Sequence, residues 1–289
     1  MNDKTCQPTS RPADSGAVPA KLIDIAVNLT APAFEGRHAD IIARAASAGV
    51  AAFILPGSSV ADSEKVVELA LRYDSCFATV GVHPHNASGW DSADGERLEE
   101  LFLADNAGRI VAVGECGLDY NRNFSPQDEQ RACFEEQLRL AAELGRPAFL
   151  HQRDAFADFL PILERYRHQL PGAVVHCFTG NLGELRAFLD LDCHIGITGW
   201  ACDERRGTGL LPLLPLIPAD RLLLETDSPY LIPRTLPKAL RTGNGRNEPA
   251  FLPHVAYFVA GILGKSPEQL ALETTTNAAK LFGINSQLA

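Results

Sequence analysis

The seven cysteines, at positions 6, 76, 116, 133, 177, 193 and 202, include no C-x-x-C pair, and their odd number does not make a closed disulfide framework. Several lie inside apolar runs, as small hydrophobes do. A reduced, cytoplasmic setting is expected. No 18 consecutive apolar residues occur, and the first twenty residues contain no apolar signal-peptide core, so neither secretion nor a membrane span is expected. Positive charge is also short: 26 Lys and Arg against 36 Asp and Glu leave a net charge of −10. That balance argues against a broad electrostatic footprint on nucleic acid, which needs many Lys/Arg contacts to phosphate, and leaves room only for a short, metal-assisted contact. No linker, low-complexity tract or short-period repeat interrupts residues 21 to 283. One domain over 21–289 is expected, preceded by a mobile tail at 1–20 that is rich in Pro, Ser, Ala and Thr.

What is present is 289 residues, 46% hydrophobic and 21% charged, ample for a sizeable core. Short apolar runs alternate with amphipathic helical stretches, the signature of βα units on a parallel sheet. Eight strands are expected: 21–28, 51–57, 76–85, 109–116, 147–153, 173–178, 193–199 and 221–227. Eight βα units favour an α/β TIM barrel, (β/α)8, with a doubly wound open sheet as the competing arrangement. A helix is expected over 127–143, with Ser125 as N-cap, Pro126 at N1, Asp128 completing a capping box and Gly145 ending it. Ser266-Pro267 opens a last helix ending near Leu281.

The stretch IVAVGECGLDY (110 to 120) reads as a strand covered on both faces that delivers Glu115 at its carboxyl end. A solvated loop acid or N-cap is the plain alternative for that one carboxylate. The other ionisable residues make the pattern. His83 and His85 close strand three, His151 strand five, His176 strand six and Asp227 strand eight, so four of the eight histidines fall at strand ends with two acids. Catalytic groups of barrel enzymes gather on that face. Imidazole nitrogens and carboxylate oxygens converging there describe a divalent metal site and metal-assisted hydrolysis.

GVHPH (81 to 85), GECGLDYNRNF (114 to 124), HQRDAF (151 to 156), HCFTG (176 to 180), GITGW (196 to 200), CDERRG (202 to 207), LLETDSPYL (223 to 231) and RNEP (246 to 249) together resemble the TatD family of metal-dependent deoxyribonucleases, of the amidohydrolase-like barrel superfamily. The resemblance covers roughly residues 21 to 283. It implies that Glu115, His151, His176 and Asp227 bind metal, with Asp227 also orienting or deprotonating the attacking water. It further implies that His83 contacts the scissile phosphate or leaving oxygen, with His85 nearby as a further phosphate contact, structural hydrogen bonding at the Pro84 turn being the alternative for His85. Arg153, on the same strand face as His151, suits bidentate phosphate contact, an ion pair with Asp154 or Glu115 being the alternative. Arg246, Arg205 and Arg206 lie on loops at the same mouth, Arg246 as a further phosphate contact. Trp200 and Tyr120 are candidate base-stacking surfaces, although rim packing is the stronger reading of both. Cys116 and Cys177 border ligands and are read as packing.

The chain departs from the superfamily's Asp-x-His-x-His at strand one, where Asp24, Ala26 and Asn28 stand. Ala26 cannot coordinate, and Asn28 offers only a neutral amide oxygen. A single ion is therefore expected on Glu115, His151 and His176 with Asp227 close or direct. Any second metal or substrate contact at Asn28 or Asp24 would be weak. Mg2+ is the implied activator, with Mn2+ or Zn2+ as other divalent occupants. The implied activity is a 3′-5′ exonuclease acting on single-stranded DNA and RNA, distributive because the body is acidic, and monomeric. The rivals are an amidohydrolase of a cyclic amide, an aminoacyl-tRNA deacylase, and a catalytically silent binding module.

Overall fold

The computed structural model describes residues 21–241 and 245–284; the expected tail at 1–20 lies outside the described residues. Eight parallel strands pair in the order of the sequence: β1 Leu22–Asp24, β2 Val50–Pro56, β3 Cys76–Val80, β4 Ile110–Asp119, β5 Ala148–Arg153, β6 Ala173–Val175, β7 His194–Ile197 and β8 Leu222–Leu224. The sheet closes on itself. Beyond the last ladder pairs, Ile25 N donates to Leu224 O (3.3 Å), Asp227 N to Ala26 O (3.0 Å), and Val27 bridges Ser228 in parallel. Sequential order with closure makes a TIM barrel and excludes the doubly wound sheet, whose strand order reverses at a switch point.

Alternation along each strand divides the apolar residues into two layers. Ile23, Ile54, Phe77, Val111, Phe149, Val174 and Leu223 pack inside the barrel, together with Ala278, Ala279, Phe282 and Ile284 of the chain's last turns. Leu22, Phe53, Val80, Ile110, Leu150, Val175 and Leu224 face outward into the helices. Those helices are α1 His38–Ser47, α2 Val60–Arg72, α3 Ser92–Ala104, α4 Gln127–Glu143, α5 Phe156–Arg167, α6 Leu182–Asp190, α7 Leu252–Leu263 and α8 Pro267–Phe282. Between β7 and β8 the run LLPLLPL forms short 3-10 turns over Leu211–Leu216, since Pro212 and Pro215 each withhold a backbone donor and block an α-helix.

Two local expectations are corrected. The strand carrying Glu115 does not end there: β4 continues to Asp119, and all ten of its residues are buried. At α4, Ser125 is not the N-cap. Pro126 occupies that position without a side-chain cap, because Ser125 Oγ donates to His85 O (3.1 Å) and accepts from Ser88 N (3.0 Å), tying down the loop after β3. Phe134, Leu138 and Ala141 are buried as their spacing predicts, and Ser266 caps α8 by accepting from Gln269 N.

Candidate metal centre

The carboxyl ends of the strands splay around a cavity of about 860 Å³. The ladders stop early here: β6 ends at Val175 and β8 at Leu224, so His176 and Asp227 stand just beyond them, and Cys177 (φ 46°) and Asp227 (φ 51°) adopt left-handed backbone. Such turns aim side chains into the mouth at a conformational cost of order 1–3 kcal/mol each, borne by the surrounding structure.

Three imidazoles converge on one carboxylate oxygen. Glu115 Oε1 lies 2.8 Å from His151 Nδ1, 2.7 Å from His176 Nε2 and 3.4 Å from His83 Nε2. His151 Nδ1 and His176 Nε2 face each other at 3.3 Å. Burial would raise the Glu115 carboxyl, but His176, His83 and His151 outweigh it and hold it well below its ordinary range. Burial would lower His176, and its Glu115 and Glu225 neighbours hold it well above. His151 is likewise raised, against burial, by Asp119 and Glu115. This buried pocket thus favours positive charge where the ring nitrogens meet Glu115, which a divalent cation would supply. His151 Nε2, the ring nitrogen turned away from Glu115, is buried with no hydrogen-bond partner, Asp119 Oδ2 standing at 3.7 Å.

Each ring is oriented by a partner behind it. Glu225, fully buried, lies 3.4 Å from His176 Nδ1 and accepts from Cys177 N, so His176 turns Nε2 to the centre. Gly196 makes room for this carboxylate, since a Cβ there would sit 2.7 Å from Glu225 Oε1. A carboxylate behind a histidine is the usual second layer of a metal site. Sequence reasoning missed Glu225, although it precedes Asp227 by two in LLETD and shares its strand parity.

His83 differs. Its Nδ1 accepts from His85 N (3.0 Å), and burial first of all pushes its pKa down to about 4 despite Glu115. A neutral ring that accepts at Nδ1 carries its proton on Nε2, so His83 presents a donor to the mouth. By distance alone His83, Glu115 and His151 also form a metal-sized group, each with an atom within 4.8 Å of the others. His85 Nε2 is bound to Asp119 Oδ2 at 2.7 Å. Asp119 also takes backbone N–H groups of Asn121 and Arg122, and with His151 and His85 these hold its carboxyl low against burial.

Asp227 lines the cavity. Asn28 Nδ2 donates to its Oδ1 (2.9 Å), and Oδ2 has no hydrogen-bond partner among the described residues. Burial, opposed by His176 and reinforced by Glu115 and Glu225, pushes its pKa up to about 7. Asn28 thus orients Asp227, with its amide nitrogen also on Ser228 O. Asp24 is fully buried away from the cavity lining: Thr226 donates to it from N (2.9 Å) and Oγ1 (2.6 Å), and Ala26 from N (3.3 Å). Ala26 lies in the barrel interior.

Among the described residues Arg153 lines the mouth without a hydrogen bond or ion pair to its guanidinium, so neither Asp154 nor Glu115 pairs with it. Arg206 lines it too, bonded to Asp203 (2.8 Å) with its guanidinium 4.4 Å over the Trp200 ring, whereas Arg205 is exposed beside Asp203 at 3.6 Å. Arg246 is exposed and outside the cavity lining. Its neighbours turn inward: Asn247 donates to Thr226 O (2.9 Å), and buried Glu248 pairs with Arg44 of α1. Tyr120 does not line the cavity; it packs against the outer core, its hydroxyl donating to Asp158 (2.7 Å).

Compared with known proteins, residues 23–283 match the family model described as TatD related DNase. The chain belongs to the TatD family. It is 48% identical over 268 residues to the 3'-5' ssDNA/RNA exonuclease TatD of Citrobacter rodentium, covering 93% of this chain and 100% of that one. To the protein of the same name from Cronobacter sakazakii it is 50% identical, with the same coverage. Among solved structures it resembles YJJV, a TatD homolog from Escherichia coli k12, with a TM-score of 0.83 and 27% identity over 92% of this chain and 99% of that one. The TatD-family barrel is also superposable on more distant hydrolases, such as a β-aspartyl dipeptidase from Fervidobacterium islandicum at 17% identity and a TM-score of 0.58, a likeness of fold alone.

Proposed function

We propose that this chain is a divalent-metal-dependent nuclease that removes nucleotides from the 3′ end of single-stranded DNA and RNA. The observation that carries the reading is the convergence of His151, His176 and His83 on Glu115 at the floor of an open mouth. It is joined by identity near one half to relatives named for that activity. Glu115, His151 and His176 would hold one cation, with Asp227 beside them. Mg2+ is the proposed activator, and the mixed imidazole and carboxylate set also suits Mn2+ or Zn2+. When bound, the cation supplies a Lewis acid that acidifies water and screens charge on the phosphoryl oxygens.

The chain's own residues divide the remaining work. Asp227, with Oδ2 open to the mouth and Oδ1 held by Asn28, orients the attacking water and takes its proton. His83 donates Nε2–H to a phosphate oxygen, and the unpaired Arg153 supplies a planar, bidentate cation for the same group. His85, held by Asp119, positions His83 through its backbone N–H. Arg246, exposed on its loop, would meet a phosphate farther along the strand. The protein would act as a cytoplasmic monomer; among the described residues no helix is long and apolar enough to cross a membrane.

The test is directional. Metal-free protein resupplied with Mg2+ is given a single-stranded oligonucleotide labelled at one end. A 5′ label should appear in a descending ladder, and a 3′ label should leave at once as a mononucleotide. The reverse pattern would overturn the direction, and intact DNA and RNA with Mg2+, Mn2+ and Zn2+ alike would overturn the function.

A further inference from the structure

The rim of the mouth carries two aromatic rings that the chemistry above leaves unused. Phe124, on the loop after β4, is 67% exposed, and Tyr230, on the loop after β8, is 57% exposed. Both line the cavity that holds Glu115, His151, His176 and Asp227. In an eight-stranded ring β4 and β8 are four strands apart, so the two rings stand on opposite sides of the centre. Leaving two large aromatic side chains in water is unfavourable unless something covers them.

The ring of Phe124 and the backbone of Tyr230 are both held in place. Phe124 packs edge-on against His85 at 4.7 Å between centroids, and His85 is fixed by Asp119. The backbone of Tyr230 is pinned in a tight turn by Tyr230 N to Asp227 O (3.0 Å). Beside Phe124 stand Arg122 and Arg153, whose guanidinium groups have no partner among the described residues. Trp200 is less suited to this task, because Arg206 already covers one face of its ring.

Exposed aromatic rings at a mouth that also carries unpaired cations match the chemistry of unpaired nucleobases on a phosphate backbone, whose bases stack on aromatic faces without regard to sequence. The geometry points to Phe124 and Tyr230 as two stacking platforms that grip the bases on either side of the scissile phosphate, stretching the strand end across the mouth. This inference rests on the nuclease reading and deepens it. The substrate class becomes a strand end whose last two bases are both present and unpaired, with no preference among the four bases.

The test uses the full chain with Mg2+ and two single-stranded oligonucleotides, one normal and one lacking the two bases that flank the 3′-terminal bond. On the normal strand, Phe124→Ala and Tyr230→Ala should each lose about 5- to 150-fold in kcat/KM, the range expected for one stacked base. Tyr230→Phe and Phe124→Tyr should retain activity. On the strand lacking those bases the wild type should itself be slow, and the alanine variants should match it. Unchanged rates on the normal strand, or equal losses on both strands, would overturn the platforms while leaving the nuclease reading intact. Failure of the wild type to cleave either strand would overturn the nuclease reading and this one with it.

Discussion

Glu225 touches no solvent, yet it decides which nitrogen His176 offers to the centre. Its carboxylate lies behind His176 Nδ1 and also holds Cys177 N. Glu225→Gln keeps the shape and removes the charge, so metal affinity should fall about 10- to 100-fold while the fold persists. Calorimetric titration with Mn2+ beside a circular dichroism spectrum checks this; undiminished affinity would contradict it. Asp24 gives a second prediction, in pH. Burial first of all lifts its pKa from 3.8 to about 8, against the hydrogen bonds from Thr226 and Ala26. The folded state then binds a proton that the unfolded state has lost. Its contribution to stability is fully present below about pH 4 and disappears as the pH rises through about 8. Asp24→Asn does not titrate, so the melting temperature of the wild type relative to this variant should fall between pH 5 and pH 8. A difference that stays constant would count against it.

At the scale of elements, the eight strands were legible because parallel strands buried on both faces read as continuous apolar runs, and each expected run overlaps an observed strand. Six of the runs overshoot at their carboxyl ends, at Phe178 or Asp227 for example, where the backbone leaves the ladder to aim side chains at the mouth, whereas the fifth ends at Arg153 as expected and the fourth stops short of Asp119. The residues that converge on Glu115 were legible for the same reason: a histidine or acid closing an apolar run is visible in one dimension. What was hidden depends on contacts between distant segments. Glu225 reads as one more polar residue in LLETD, and Phe124 and Tyr230 as ordinary loop aromatics. In the string RNEP only Arg246 reads as a mouth residue, and nothing local shows that Glu248 spans 204 positions to bond Arg44 in α1 through both oxygens, at 3.0 and 3.1 Å, with Arg37 at 3.7 Å. That strap ties the loop after β8 to the first helix. Glu248→Ala should therefore destabilise the fold by about 1–3 kcal/mol, the cost of removing a buried charged hydrogen-bond partner, read by urea denaturation. A change within experimental error would mean that the strap carries no stability.

The whole molecule brings strands far apart in sequence to one mouth, and on the proposed reading this is how a chain of net charge −10 would handle a polyanion. Binding would be concentrated in a few groups at the mouth rather than spread over a basic face. The barrel supplies the positions, the layer behind them fixes ring orientation, and Ala26 and Asn28 offer no histidine on the first strand for a second ion. The central claim is thus one ion centred on Glu115. Titration of metal-free protein with Mn2+, followed by the loss of the free-ion electron paramagnetic resonance signal, tests it most directly. The wild type should bind one ion tightly per chain, and Glu115→Ala should lose that site. Two tight ions per wild-type chain, or an undisturbed site in the variant, would contradict the claim.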